Sequence, residues 1–290
     1  MHSNDHSRLL DTRFFNPGAI AELAQQRRIR DPLFDSGPIL IVAADHPARG
    51  TMKVGNHPYA MANRADLLDR IVAALGVPGV DGVLGTPDII EDLLMLGALD
   101  NKVVFGSMNR GGLPGATFEM DDRFTSYSAE SIIESRLDGG KMLIRINLGD
   151  PGTVNTLESC GRAVSTLAAS RRIALIEPFM NTRVDGRNQN ILTTDAVITS
   201  IGIASALGST SAYTWLKIPV VEDMARVAEA STLPLVLLGG EQHDSPDEMF
   251  NQWERALAQP GVRGLVVGRN LLYPPNDDVE ATVKLAASLR

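Results

Sequence analysis

The apolar positions of the chain fall into two alternating textures. Short, largely β-branched runs bounded by Gly, Pro or Asp begin at Pro38-Ile39-Leu40-Ile41-Val42-Ala43-Ala44-Asp45. They return at 80–86, 102–108, 141–148, 173–180, 212–220, 234–240 and 262–270. Such runs read as strands. Between most of them the apolar residues recur at helical spacing. Leu67, Leu68, Ile71, Val72 and Leu75 make one stripe across 65–75, and 193–207 and 221–230 read the same way. Ser245-Pro246-Asp247-Glu248 combines an N-cap, a first-turn Pro and capping-box spacing, and Asn276-Asp277-Asp278 opens a last helix reaching Leu289. Ahead of them, Asn16-Pro17 introduces a short helix over 18–28.

Repeated strand–helix alternation favours parallel strands joined by crossover helices. Strands that are apolar almost throughout suit a sheet covered on both faces. An open doubly wound sheet is the competing architecture, but no G-x-G-x-x-G follows the first strand. The pattern therefore predicts a single (β/α)8 barrel over 38–290, preceded by an extension over 1–37 that carries the short helix. The segment 109–127, with Arg110, Gly111, Gly112, Pro114, Gly115 and Arg123, is long for a βα loop. It reads as a lid.

In a barrel the C-terminal ends of the strands converge on one mouth. Within the sixth run, strand alternation puts Lys217 on one face with Tyr213 and Trp215. Such a Lys either snorkels to water or pairs with a carboxylate, or it is a neutral amine held ready to attack a carbonyl. Its neighbours bear on the choice. The first strand ends in Asp45 and His46. The fourth alternates Lys141, Leu143, Arg145 and Asn147 against the apolar Met142, Ile144, Ile146 and Leu148, so the first set should point inward. The fifth supplies Glu177. Two cations beside Lys217 would lower its pKa, whereas Glu177 and Asp45 would raise it. Glu177 could also shuttle the protons that form and dehydrate a carbinolamine.

The seventh and eighth strands end in Gly239-Gly240 and Gly268-Arg269-Asn270. Backbone N–H groups there can approach an anion and Arg269 can clamp it, where barrels commonly hold phosphate. His46, His57 and His243 could meet at the mouth, but their spacing matches no metal-ligand motif. His2 and His6 read as part of a mobile tail, and Cys160 as a small buried residue on a helix.

Composition narrows the partners. The chain has 290 residues, 44% hydrophobic and 21% charged, with a net charge of −8. That charge argues against a duplex nucleic-acid partner, which would need Lys and Arg clusters. No apolar run approaches the roughly 18 residues of a membrane helix, and the start does not read as a secretory signal. One Cys cannot form an intrachain disulfide. The expectation is a cytoplasmic protein with a small-molecule substrate, no nucleic-acid or membrane partner, and no metal.

Taken in order, Ala44-Asp45-His46-Pro47, Lys141-Met142-Leu143-Ile144, Ile176-Glu177-Pro178, Trp215-Leu216-Lys217-Ile218-Pro219, Leu238-Gly239-Gly240 and Gly264-Leu265-Val266-Val267-Gly268-Arg269-Asn270 resemble the class I (Schiff-base) aldolases. That superfamily includes deoxyribose-phosphate aldolase, archaeal-type fructose-bisphosphate aldolase and tagatose-bisphosphate aldolase. The resemblance implies that Lys217 forms the imine, with Glu177 as the acid beside it. Asp45 and Lys141 would handle the substrate's hydroxyl and carbonyl ends. Gly240, Gly268 and Arg269 would cradle a phosphate, with Arg145, Asn147 and Gly239 lining the same mouth. It further implies a metal-independent cleavage of a phosphorylated keto sugar or keto acid, releasing dihydroxyacetone phosphate or a similar triose, by a homo-oligomer. The sequence departs from the family at Pro47, where the pattern has Gly, and in having no Tyr in the fifth strand segment. A sugar-phosphate isomerase or epimerase without a covalent intermediate, and a non-catalytic sugar-phosphate binder, are the alternatives.

Overall fold

The computed structural model describes residues 3–33, 37–109, 113–240 and 246–290. Arg110, Gly111 and Gly112 of the expected lid, together with His2, His243 and the Ser245 cap, lie outside the described residues.

Eight parallel strands close into a barrel: β1 (Ile39–Ala43), β2 (Gly82–Gly85), β3 (Val103–Ser107), β4 (Gly139–Ile146), β5 (Ile173–Val184), β7 (Thr214–Ile218), β8 (Leu235–Leu238) and β9 (Val262–Val267), with β6 (Arg187–Asn190) outside the ring. Neighbours run β4-β3-β2-β1-β9-β8-β7-β5, and pairing of β4 with β5 closes the circle. The fold is a (β/α)8 barrel. Side-chain alternation divides its apolar residues into two clusters. Ile39, Ile41 and Ala43 of β1 turn inward with Leu84, Phe105, Leu175, Val236 and Val266. Leu40, Val42 and Ala44 face the helices instead, with Met142, Ile144 and Ile146 of β4. Leu148 departs from that expectation. It lies beyond the end of β4 and is 84% exposed.

The helices form largely where their periodicity places them. The helix Arg64–Gly76 buries Leu67, Leu68, Ile71 and Leu75. Val72 is 39% exposed, because it sits on the edge of that stripe. Three features are new. The N-terminal tail is a helix, Ser3–Phe15, so His6 is not in a disordered segment. The last strand stops at Val267, and Arg269–Leu272 turns into one short helix. Finally, β5 continues past the barrel rim to Val184 and returns antiparallel as β6.

The extension seals the N-terminal end of the ring. Arg27, 4% exposed, donates to the carbonyls of Lys102 (3.0 Å) and Arg136 (2.6 Å) and pairs with Asp138 at 3.5 Å. Arg30 binds Asp81 at 2.6 Å. Both acids stand just before strands and accept backbone N–H groups, Asp81 from Leu40 and Asp138 from Val104, each at 2.8 Å. Leu33 packs against the inner cluster from this side. The opposite, C-terminal face is left for polar groups.

Candidate active site

The inner polar residues follow from register. Leu143 of β4 pairs with Glu177 of β5, and Lys217 of β7 pairs with Val236 of β8. One step beyond the Ile176–Leu216 pair, Glu177 and Lys217 fall level on adjacent strands. Adjacent strands lie about 4.8 Å apart, so the two side chains meet. Lys141 starts one inward position below Leu143, and its long arm reaches up to the same level.

The result is a row of four alternating charges. Asp45 Oδ2 is 2.9 Å from Lys141 Nζ, Lys141 Nζ is 2.7 Å from Glu177 Oε2, and Lys217 Nζ donates to Glu177 Oε1 at 3.2 Å. All four residues are buried, Lys217 being 3% exposed. Buried charges of this kind persist only when compensated. Desolvation lowers the Lys217 pKa most, and the Lys141 and Arg49 charges add to it, against the pull of Glu177 and Asp45. Burial raises Glu177, but Lys141, Lys217 and Arg49 outweigh it and bring the carboxyl down to about 2. Desolvation likewise opposes ionisation of Asp45, yet Lys141 and Arg49 hold it well below the usual range. The site therefore pairs two firmly ionised carboxylates with an amine whose charge is weakened.

Several supporting residues were not singled out in the sequence. Ser107 donates to Asp45 Oδ2 at 3.3 Å. Asn109, just past β3, uses its side-chain amide as if it were strand backbone, donating to the Leu143 carbonyl at 2.7 Å and accepting the Leu143 N–H at 2.8 Å. Arg49 stands on the single helical turn Pro47–Arg49, which Gly50 ends at φ +72°. Its guanidinium lies 3.6 Å from Asp45 Oδ1. Its position two residues after Pro47 gave no alternation signal that could have aimed it. His46 is neutral, because burial and the Arg49 and Arg269 charges outweigh Asp45.

The remaining expected residues lie around this row rather than in it. Arg145 is ion-paired to the Glu119 side chain and donates to the Glu119 carbonyl at 2.8 Å. It ties the 113–127 segment to the barrel rim. Asn147 accepts the Gly149 N–H at 3.0 Å and caps a local turn. Gly239 offers its carbonyl to Asn270 Nδ2 at 2.7 Å, which links the ends of β8 and β9. Gly240 has φ +70°, and among the described residues nothing comes within 4 Å of where a Cβ would be. A Cβ on Gly268 would come 2.4 Å from the Ala43 carbonyl and 2.6 Å from the His46 ring, so the close approach requires Gly. Arg269 donates to the Lys53 carbonyl at 3.3 Å. His57 is exposed in a turn with Val54. Among the described residues no three His, Cys, Asp or Glu side chains are grouped to hold a metal ion, and no helix is long and apolar enough to cross a membrane.

Comparison with known proteins supplies the family. No protein of curated function matches the chain. The crystal structure of Cgl0159 from Corynebacterium glutamicum is 54% identical, covers 100% of this chain and 97% of its own, and superposes with a TM-score of 0.96. More distant barrels share the fold. One is an archaeal fructose-1,6-bisphosphate aldolase with its catalytic Lys covalently bound to a carbinolamine intermediate, at 19% identity, TM-score 0.62, and 93% and 98% coverage. Another is the fructose-bisphosphate aldolase of Slackia heliotrinireducens DSM 20476, at 16% identity, TM-score 0.67, and 98% and 85% coverage. The Cgl0159-like family model matches residues 37–287. The chain belongs to the Cgl0159-like family.

Proposed function

We propose that the protein is a class I aldolase that forms a Schiff base through Lys217 and reversibly cleaves a carbon–carbon bond of a phosphorylated keto sugar or keto acid. The observation that carries this reading is the buried Lys217 amine, lowered in basicity and 3.2 Å from an ionised Glu177. Such an amine is a competent nucleophile toward a carbonyl. The aldolases that share the barrel's shape agree with it.

In this mechanism neutral Lys217 Nζ attacks the substrate carbonyl carbon. Glu177 relays the proton that the new C–N bond leaves on nitrogen to the oxygen, giving the carbinolamine, and a second proton drawn from solvent lets that hydroxyl depart as water and leaves the protonated iminium. The iminium then accepts the electron pair of the breaking carbon–carbon bond. The hydroxyl on the departing carbon loses its proton to Asp45 and becomes an aldehyde. Asp45 is held at low pKa, so this transfer accompanies bond cleavage rather than preceding it. The enamine left on Lys217 is reprotonated at carbon and hydrolysed, releasing dihydroxyacetone phosphate or a similar triose. Gly240, Gly268 and Arg269 are assigned to the phosphate. No metal or organic cofactor enters, because the iminium is the electron sink.

Borohydride reduction in the presence of dihydroxyacetone phosphate tests the reading. The expected result is a stable adduct mapped by mass spectrometry to Lys217, absent in Lys217→Ala and unaffected by EDTA. A protein that turns over a phosphorylated ketose without any trapped adduct would instead be an isomerase or epimerase.

A further inference from the structure

Beside the charge row, the buried Asp45 carboxylate and the half-buried His46 and Arg49 side chains approach one another at ion-pair distance but not at hydrogen-bond distance. Asp45 Oδ2 is committed to Lys141 and Ser107, but Asp45 Oδ1 has no hydrogen-bond partner among the described residues. The Arg49 guanidinium is 3.6 Å from that oxygen, and His46 Nδ1 is 3.9 Å from it. His46 Nδ1 and Arg49 Nε are likewise buried without a hydrogen-bond partner among the described residues. Both separations exceed a direct hydrogen bond. Buried polar atoms are nearly always satisfied, so three together call for a ligand group.

The donor and acceptor inventory selects the kind of group. An anionic oxygen would be drawn to Arg49 but repelled by the carboxylate at its side. An ammonium would suit Asp45 and be repelled by Arg49. A hydroxyl fits both, because it accepts from the guanidinium while donating to Asp45 Oδ1, and neutral His46 can serve as either partner. The backbone fixes the place. Pro47–Arg49 is a closed turn, and the His46 ring rests against Gly268, where any side chain would displace it.

We propose that Arg49, with Asp45 Oδ1 and His46 Nδ1, binds a neutral hydroxyl of the substrate on the carbon next to the imine carbon, and so selects hydroxylated over deoxygenated ketone donors. This rests on the Schiff-base reading above and extends it to substrate choice. Sites that hydrogen-bond a hydroxyl discriminate strongly against an analogue lacking it, since their polar groups are then left unpaired.

The test compares dihydroxyacetone phosphate with hydroxyacetone phosphate, which lacks its one free hydroxyl, as probes for borohydride trapping at Lys217. Wild-type protein is expected to trap the hydroxylated probe at least about tenfold more efficiently, in line with such discrimination. Arg49→Gln should lose most of that preference while still trapping both probes, and Arg49→Lys should recover part of it. Arg49→Gln should also trap at higher pH. The charges facing Lys217 are Glu177, Lys141, Asp45 and Arg49, and removing a cation from that set raises the amine's pKa. A merely structural role for Arg49 would lower trapping of both probes equally. Equal trapping of the two probes by wild type, or an unchanged preference in Arg49→Gln, would overturn the inference while leaving the Schiff base intact. If wild type traps neither probe, the reading beneath it fails as well.

Discussion

Lys141 sits between two carboxylates and is the residue on which the balance of the site depends. Removing it leaves Asp45 and Glu177 buried with less compensation, and breaking a buried ion pair in this way costs about 3–5 kcal/mol. Lys141→Met should therefore unfold at markedly lower urea concentration than wild type. The pH dependence has a definite sign. Glu177 has a folded pKa of about 2 against an ordinary 4.5, so its contribution to stability is complete above the ordinary value and is lost as the pH falls toward 2. In Lys141→Met the folded pKa rises toward the ordinary value, so this contribution is smaller and its loss is complete at higher pH. Urea midpoints measured between about pH 2 and 7 read both effects, and coincident wild-type and variant curves would refute the account. At this scale alternation made Lys217 and Lys141 legible, because residues two apart on a strand share a face, while Asp45 and Glu177 stood out as lone acids in apolar strand runs. Arg49 and Glu119 come from a turn and a loop, where no such period operates. Arg145 and Asn147 lie on the correct strand or just past it, yet each is bound to a nearby partner on the rim rather than to the charge row.

At the scale of elements, the rim of the barrel is held by side chains that imitate main chain. Asn109 continues the β3–β4 ladder past its last backbone pair through its two bonds to Leu143. Asn109→Ala would leave the Leu143 N–H and carbonyl without these partners in a buried position. The expected cost is about 2–6 kcal/mol, from about 1–3 kcal/mol for each of the two unsatisfied groups. Denaturant unfolding measures it, and a change below about 0.5 kcal/mol, the usual range for surface substitutions, would contradict the role. The same reasoning shows why elements were read unevenly. Apolar runs and capped amphipathic stripes made the eight barrel strands and most helices visible. The β5–β6 hairpin was not visible, because β6 is Arg-Asn-Gln-Asn, a polar segment whose strand character comes only from pairing with β5. The helix Ser3–Phe15 carries three exposed apolar residues, Leu10, Phe14 and Phe15, which blur any stripe.

For the molecule as a whole, the extension and the charge row occupy opposite ends of one barrel. The lower end contributes stability rather than chemistry, as expected of the N-terminal face of such barrels. Arg27 and Asp138 are both buried there, so Arg27→Met should lower stability by about 3–5 kcal/mol while leaving borohydride trapping at Lys217 intact once folded. Loss of trapping in a folded Arg27→Met protein would show that the two ends are coupled. At the other end, the four ions come from segments that follow β1 or lie on β4, β5 and β7, between positions 45 and 217. Each is tolerable away from water only beside its neighbours. A partly assembled ring with β4 and β5 in place but β7 undocked would strand a carboxylate without one of its counter-ions, so half-built intermediates are penalised by the very groups that complete the finished site. Electrostatic closure of this sort makes the barrel open as a unit, and backbone amides of β4, β5 and β7 should exchange with solvent at one common free energy rather than strand by strand.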